Sequence, residues 1–356
     1  MKYKFLVLIT ALISINVFAQ KAPFFPDIKN YYTLHCDFHT HTIFSDGLVW
    51  PDLRVTEALK DNLDVIAITD HIEYRPYQDE VQGDHNRSYE IASKAGKEKG
   101  IIVIKGTELT RSMPPGHLNA LFIKDANKIE TDNAFEALEE AKSQGGFIIW
   151  NHPGWKVQQP DTTIWFDIHT KLYEKDLING IEIFNYSDYY PEALQWANEK
   201  DLTMFANSDV HQTIRTGGFG NHRPVTLVFA KDYSSKAVED ALINKRTACY
   251  FKDTIVAFEP YLGDLLNASL LVSHKFNYES GFMVWSFTNL CSCPIKLKLP
   301  NPLNIENLPN EIIIEPNSSK KIRFKNTEQN IDNVVYLTTN WFSNLNTYGK
   351  VTLPLK

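Results

Sequence analysis

Short apolar runs alternate with amphipathic helical patterns along the chain from about residue 34 to about residue 257. The runs are rich in Ile, Val and Phe, which is typical of buried parallel strands. Repeated strand and helix units of this length predict an α/β fold, either a barrel or a doubly wound sheet. The predicted strands cover residues 34–39, 65–69, 101–104, 118–123, 147–150, 181–184, 203–206 and 225–229.

Helix start and stop signals support this alternation. Asn133 is positioned to cap a helix over residues 134–144, and Gly145 is positioned to end it. Pro191 can begin a second helix, and Ser235 can cap a third.

One connection breaks the alternation of strands and helices. Only residues 111–116 separate the strand that ends near residue 109 from the strand that begins near residue 118. A parallel pair needs a dozen or more residues in its connection, so we predict an antiparallel hairpin around Pro114 instead. The start of the second strand then lies beside the carboxyl end of the first.

The pattern changes after residue 257. Gly, Asn, Pro and Ser turns separate alternating strands there, for example over residues 282–287 and 334–338. We therefore predict two domains, an α/β barrel over residues 20–257 and a small all-β, sandwich-like domain over residues 258–356.

The first residues of the chain predict export. Lys2 and Lys4 precede an apolar run over residues 5–15, and a short segment ending at Ala19 follows. This is the pattern of a secretory signal peptide over residues 1–19, which places the mature protein in the periplasm or outside the cell. The run is shorter than the ~20 apolar residues that a spanning helix needs, so no membrane span is expected after cleavage.

Composition and charge narrow the classes of partner. The chain has 356 residues, of which 43% are hydrophobic and 22% charged, as in an ordinary globular protein. Its net charge of -7 argues against a broad surface for nucleic acid, so no nucleic acid partner is expected. Any anion that binds must therefore meet local positive charge.

Histidines and acids cluster at the ends of the predicted strands. Because strand side chains alternate between two faces, Asp37, His39 and His41 share one face where the first strand ends. Five further segments lie at the same end of later strands: Thr69-Asp70-His71, Gly106-Thr107-Glu108, Gly116-His117, Asn151-His152-Pro153 and Ser208-Asp209-Val210-His211. Function gathers at the carboxyl ends of strands in parallel α/β folds. Imidazole and carboxylate ligands together suit Zn²⁺, Mn²⁺ or Fe²⁺.

This ordered set of residues resembles the polymerase and histidinol phosphatase (PHP) superfamily of metal-dependent phosphoesterases. The superfamily signature is His-x-His, a further Asp or His, then His, Glu, His, His and Asp-x-His. The resemblance covers about residues 34–257. It implies a distorted (β/α)7 barrel, a small-molecule phosphate ester as substrate, and three divalent metal ions of Zn, Mn or Fe.

The resemblance also implies which residues hold the three ions. They are His39, His41, Glu108 and Asp209 for the first ion, Glu108 as a bridge with His117 and His152 for the second, and Asp46, His71 and His211 for the third. Asp46 stands where many members have histidine, which makes the third position harder and more suited to Mn²⁺ or Fe²⁺.

Three other stretches carry a narrower resemblance. Residues 45–51, residues 113–120 and His222-Arg223-Pro224 resemble an exported branch of the superfamily, whose members are phosphodiesterases with an extra C-terminal domain. This resemblance implies hydrolysis of phosphodiester bonds through a metal-activated hydroxide at a trinuclear site.

Five residues near the predicted ligands are candidates for catalytic roles. Asp37 can accept the spare N–H of a ligand histidine and fix its tautomer. Arg111 and Arg223 can hold phosphate in a bidentate contact. His222 and Asp70 compete as proton donors to the leaving oxygen.

Three other functions fit the same residues. A phosphomonoesterase of the same fold is the closest, although an aromatic platform of Trp155, Trp165 and Phe166 would favour diesters. An amidohydrolase also begins with His-x-His on a barrel, but it usually has a carboxylated lysine where Glu108 can bridge here. A non-catalytic binding protein stabilised by metal is the third, although structural zinc sites are typically closed by four protein ligands.

Overall fold

The computed structural model of the protein describes residues 24–216, 222–325 and 331–356. The predicted signal peptide over residues 1–19 lies outside these ranges. Within them, no helix combines the length and the apolar character that crossing a membrane requires.

The N-terminal part of the fold is built on one large sheet. Its strands are β1 (Tyr32–Asp37), β2 (Val65–Ile68), β3 (Ile102–Leu109), β4 (Leu118–Leu121), β5 (Phe147–Trp150), β6 (Gly180–Asn185), β7 (Asp188–Tyr189), β8 (Thr203–Asn207), β9 (Val225–Ala230), β10 (Thr247–Phe251) and β11 (Thr254–Ala257). Their order across the sheet is β11-β10-β9-β1-β2-β3-β4-β5-β6, and β7 and β8 both pair with β6. The predicted α/β fold is confirmed in this part of the chain.

Strand direction in this sheet is mixed. β1, β2 and β3 run parallel to one another, as do β5, β6 and β8. The predicted hairpin is confirmed, because β4 runs antiparallel to β3 with Glu108 opposite Asn119. β9 differs from the expected parallel arrangement, since it is antiparallel to both β1 and β10. The start of β4 lies at the carboxyl end of β3, which brings His117 beside Glu108.

Helices accompany the strands of this part. They are α1 (Pro51–Lys60), α2 (Arg87–Lys99), α3 (Ala134–Ser143), α4 (Asp167–Glu174), α5 (Pro191–Lys200) and α6 (Ser235–Ile243). Asn133 caps α3 as predicted, since its side-chain oxygen accepts two backbone N–H groups of the first turn. α5 begins at Pro191, also as predicted. The predicted cap at Ser235 is wrong, because Ser234 is still extended and accepts the N–H of Ala237.

The C-terminal part adds a helix and further strands. They are α7 (Tyr261–Ser269), β12 (Leu270–Asn277), β13 (Phe282–Asn289), β14 (Ile295–Lys298), β15 (Glu311–Ile314), β16 (Ser319–Lys325), β17 (Asn333–Asn344) and β18 (Thr347–Pro354). β14, β15, β17 and β18 continue the large sheet, because β17 runs parallel to β11. β12, β13 and β16 form a separate antiparallel sheet.

This C-terminal part is rich in strands as predicted, but it is not all-β. α7 buries Leu262, Leu265 and Leu266, whose spacing places them on one helical face. The fold as a whole is the expected α/β architecture with an additional C-terminal region. The exact domain boundary at residue 257 stays a prediction.

Candidate metal centre

Nine histidine and acidic side chains meet at the carboxyl ends of the central strands. They are His39, His41 and Asp46 after β1, His71 after β2, Glu108 at the end of β3, His117 before β4, His152 after β5, and Asp209 and His211 after β8. The structure thus brings together every residue predicted to bind metal. Their role as ligands stays a prediction.

The donor atoms of these side chains form three groups, and within each group the atoms lie within 4.8 Å of one another. The groups are His39, His41 and Asp209; Glu108, His117 and His152; and His41, Asp46, His71 and His211. They follow the predicted sets closely, and His41 belongs to two of them. Mixed imidazole and carboxylate groups of this kind are able to bind transition-metal ions.

Glu108 stands between two sets of histidines. Its Oε1 lies 3.0 Å from Nδ1 of His117 and 3.6 Å from Nε2 of His152. Its Oε2 lies 3.3 Å from Nε2 of His39 and 3.2 Å from Nε2 of His41. The two oxygens of one buried carboxylate therefore face different imidazoles, which is the arrangement expected of a ligand shared by two ions.

Two acids of the cluster, Glu108 and Asp209, are ionised. Burial alone raises the pKa of Glu108, but the nearby His71 and His39 outweigh burial and hold this pKa well below its ordinary value. Burial also raises the pKa of Asp209, and contacts with His39 and His41 likewise hold it well below its ordinary value. Both side chains are carboxylates at neutral pH, which is the state that binds a cation.

Buried polar atoms without hydrogen-bond partners indicate that a cation fits among these residues. Nε2 of His41 lies 3.0 Å from Oδ1 of Asp209 but makes no hydrogen bond. Oδ1 of Asp46 also makes none, although it lies 3.2 Å from Nε2 of His211 and 3.4 Å from Nε2 of His71. Buried polar atoms are normally paired, so convergent donors of this kind are expected where a metal ion completes the site.

Glu182 is a buried acid of the site that sequence reasoning missed. Its Oε1 lies 2.9 Å from Nδ1 of His39, and its Oε2 accepts the backbone N–H of His152 at 2.7 Å. An N–H at Nδ1 leaves the lone pair of His39 at Nε2, which faces the cluster. The only signal in the sequence is one acid inside the apolar run of residues 181–184.

Asp37 was predicted to accept the spare N–H of a ligand histidine, but Glu182 makes that contact with His39 instead. The carboxylate of Asp37 accepts the hydroxyl of Ser208 and forms a buried ion pair with Arg223. Arg223 also donates to Oδ2 of Asp61 at 2.8 Å. Two acids therefore engage the Arg223 guanidinium, so the structure does not support the predicted contact with phosphate. Asp37 and Arg223 instead brace the segment that carries Asp209.

Asp70 holds the loop after β1. Its carboxylate accepts the backbone N–H of Thr42 at 2.6 Å, the hydroxyl of Thr42 at 2.7 Å and the hydroxyl of Ser45 at 2.7 Å. These contacts fix the turn that leads to Asp46. With its oxygens engaged in this way, Asp70 is not supported as the proton donor.

Arg111 and His222 are not among the residues that line the cavity over the cluster. Arg111 forms an ion pair with Glu73 at 2.9 Å and donates to the carbonyl of Thr131. His222 lies 3.5 Å from the hydroxyl of Tyr250 on β10. The structure therefore does not bring either of these predicted catalytic residues to the metal cluster.

Arg54 on α1 is a second residue that sequence reasoning missed. It is 1% exposed, and its Nη2 donates to the carbonyl of His41 at 2.8 Å. Its guanidinium also donates to the carbonyl oxygens of Gln212 at 2.9 Å and His211 at 3.2 Å. One buried side chain thus ties the loop after β1 to the loop after β8, and both loops carry predicted ligands.

A cavity of about 640 Å³ opens onto the cluster. Trp155 lines it, with its ring centroid 5.4 Å from that of His152 and 5.7 Å from that of His117. Trp165 and Phe166, the other members of the predicted platform, pack against other aromatic rings instead. Of the three aromatic residues predicted to form a platform, only Trp155 lines the cavity.

Substitution of Glu182 tests its role in orienting His39. We expect Glu182→Gln to weaken metal binding by about 10- to 100-fold, because the amide no longer fixes the histidine tautomer as a carboxylate does. Competition with a chromophoric chelator measures this affinity. Glu199→Gln, on the exposed face of α5, is the matched control. Unchanged affinity in Glu182→Gln would mean that His39 is oriented by other groups.

Protons should compete with metal ions at His211. Burial lowers the pKa of this imidazole, but close contact with Asp46 and the charge of Asp209 outweigh burial and raise the pKa to about 9. His211 therefore carries a proton in the metal-free protein below this pH, whereas a ligand histidine must be neutral. We expect metal affinity to rise with pH up to about 9.

Titration calorimetry in buffers of different ionisation enthalpy measures this competition. At neutral pH, metal uptake should release protons, and His211→Gln should release fewer. Uptake that releases no proton would contradict the predicted ligand role of His211.

The mixed sheet and the groups of imidazole and carboxylate donors at the carboxyl ends of its strands are features of an α/β protein that can bind metal ions. A family model described as the PHP domain matches residues 37–181. A solved two-domain protein from Bacteroides vulgatus, which contains a predicted PHP-like metal-dependent phosphoesterase, is 40% identical to this chain. The match covers 94% of this chain and 98% of that chain, with a TM-score of 0.89. The chain therefore belongs to the PHP family, and the predicted resemblance and fold are confirmed.

A second relative matches over a shorter segment. The uncharacterized protein MJ1295 of Methanocaldococcus jannaschii is 41% identical over 81 residues, which are 22% of this chain and 34% of that protein. The chain thus spans about a third of this curated relative.

Proposed function

We propose that this protein is an exported metal-dependent phosphoesterase that hydrolyses phosphodiester bonds at a site for three divalent ions. The observation that carries the proposal is the Glu108 carboxylate, whose two oxygens face different sets of imidazoles. Two metal ions close together can stabilise both the attacking and the leaving oxygen of an ester, and a carboxylate in this position can be shared by such a pair. Membership of the PHP family supports phosphoester chemistry, and the apolar run over residues 5–15 supports export.

Each group of donors would hold one ion. Glu108 would be shared between the first and second ions, and His41 faces both the first and the third groups. When bound, divalent ions lower the pKa of a coordinated water towards neutrality and polarise the phosphoryl oxygens. The protein contributes the shape of the site and the orientation of its donors.

Contacts behind the donors fix their orientation. Glu182 holds Nδ1 of His39, and Nδ2 of Asn151 donates to Oε1 of Glu108 at 2.9 Å. The hydroxyl oxygen of Thr110 lies 2.5 Å from Nδ1 of His71. These contacts direct the remaining imidazole and carboxylate lone pairs towards the cluster, so little reorganisation is needed when substrate binds.

The cavity favours a diester over a monoester. No lysine or arginine is among its lining residues in the part of the chain that the structure describes. A phosphomonoester carries up to two negative charges at neutral pH and gains most from protein cations, whereas a diester carries one. Trp155 adds an apolar wall next to His117 and His152, where a second ester group can pack.

Initial rates on two chromogenic esters test the proposed function. The protein over residues 20–356 should hydrolyse bis(p-nitrophenyl) phosphate faster than p-nitrophenyl phosphate in the presence of Mn²⁺, and a chelator should stop both reactions. Asp209→Ala should abolish turnover because it removes a donor that faces His39 and His41.

The opposite preference would indicate a phosphomonoesterase. Turnover of neither ester, with intact metal binding, would contradict phosphoester hydrolysis and direct the search to amide substrates or to a binding role. Wild-type rates in Asp209→Ala would contradict the assignment of the site. Export is tested separately, by locating the full-length protein after cell fractionation and determining the N-terminus of its mature form.

A further inference from the structure

The cavity residues that are not predicted metal ligands form its outer wall, and this wall differs in charge from the cluster beneath it. Apart from the predicted metal ligands, Asp188 is the only charged side chain among the described residues that line the cavity. Asp188 begins β7, which pairs with the end of β6 through Asn185. The space beyond the metal centre is therefore bordered by one negative charge and by no lysine or arginine in the described part of the chain.

Aromatic side chains from three segments line the cavity beside Asp188, together with uncharged residues such as Val157 and Gln158. Tyr74 follows β2, Trp155 follows β5, and Tyr186 and Tyr190 flank β7. Tyr74 and Tyr186 are 53% and 40% exposed, so their rings are accessible from the cavity mouth. Burial, together with the charge of Asp188, raises the pKa of the Tyr190 hydroxyl well above its ordinary value, so this group is neutral.

We propose that this outer wall selects phosphoesters whose second ester group is an uncharged ring, and that it discriminates against a second anionic group. The inference rests on the phosphoesterase function proposed above and names the substrate class of the same site. Its basis is the combination of Asp188 with the rings of Tyr74, Trp155 and Tyr186 around one cavity.

Both parts of this selectivity follow from ordinary side-chain chemistry. Flat apolar rings gain from packing on Tyr and Trp faces, and proteins that recognise a further phosphate or carboxylate normally supply Arg or Lys for it. Here an added anion would leave water, meet no lysine or arginine among the described lining residues and face the Asp188 carboxylate. Specificity would arise as much from this repulsion as from the favourable ring contacts.

Three p-nitrophenyl diesters that share one leaving group test the proposal on the Mn²⁺-loaded enzyme. Their second ester groups are phenyl, 4-carboxyphenyl and methyl. We expect kcat/KM for the phenyl ester to exceed that for the carboxyphenyl ester by about tenfold or more at low salt, and the difference to shrink as salt is added. The phenyl ester should also exceed the methyl ester.

Variants assign these differences to the outer wall. Asp188→Lys should raise kcat/KM for the carboxyphenyl ester relative to the phenyl ester, and Asp188→Asn should do so to a smaller extent. Asp176→Lys makes the same change of charge before β6, at the opposite end of the strands, and should leave the ratio unchanged. Tyr74→Ala should reduce the preference for phenyl over methyl, and Tyr74→Phe should retain it.

The outcomes separate this inference from the proposed function. Equal turnover of the three diesters, or a ratio that Asp188→Lys does not move, would overturn the selectivity while leaving phosphodiester hydrolysis in place. No turnover of any of the three esters would overturn the phosphoesterase function on which the inference rests.

Discussion

Glu108→Gln is expected to lower phosphodiester turnover by about a thousandfold. The substitution removes the carboxylate that two ions are proposed to share, and with it several kcal/mol of the transition-state stabilisation that these ions would supply. Glutamine keeps the size of the side chain but loses its charge. Nδ2 of Asn151 donates to Oε1, so the amide oxygen is favoured there and the amide NH2 is directed at His39 and His41. That NH2 would donate to the imidazole nitrogens that are predicted to bind metal.

Metal content and initial rate should therefore fall together in Glu108→Gln. Mass spectrometry under native conditions counts the bound ions, and bis(p-nitrophenyl) phosphate reports the rate. Glu199→Gln on α5 makes the same chemical change at an exposed position and should alter neither quantity. A variant with full metal content and a normal rate would show that Glu108 does not bridge.

The elements that position the site could be predicted where local patterns determine them. The hairpin between β3 and β4 follows from a connection too short for a parallel crossover, and it places His117 correctly. The helix α7 was missed because Leu262, Leu265 and Leu266 lie in a short segment after turn residues. Short helices gain most of their stability from packing, which the sequence does not display.

The predicted metal ligands could be found from the sequence, whereas the residues that support them could not. Most of the donors could be found because they lie at or just beyond a strand end and have a characteristic residue type, whereas Asp46 lies in the loop between β1 and α1 and was found only through the resemblance to the PHP superfamily. Glu182 contacts His39 from 143 positions away, and Arg223 contacts Asp61 from 162 positions away. The tertiary fold determines such partners. The sequence alone therefore does not distinguish an arginine that binds phosphate from one that pairs with an acid of the protein.

Arg54→Met is expected to lower the free energy of unfolding of the protein by about 3 kcal/mol and to reduce its metal content. Arg54 is buried, and although burial lowers its pKa to about 10, it stays charged at neutral pH. Its loss would leave the carbonyl oxygens of His41 and Gln212 without this donor, and would leave Glu57 without its ion-pair partner. Methionine keeps most of the apolar stem, so packing alone does not account for the expected loss.

Denaturant unfolding with and without Mn²⁺ separates the two effects of this substitution. Because Arg54 joins the loops that carry His41 and His211, the stabilisation that Mn²⁺ gives should be smaller in Arg54→Met than in the wild type. Arg54→Lys keeps the charge but not the forked geometry, so it should recover only part of the metal affinity. Arg87→Met on α2 removes an exposed arginine paired with Glu90 and should change stability by less than about 1 kcal/mol. If Arg54→Met bound metal as tightly as the wild type, the two loops would hold their ligands without this arginine.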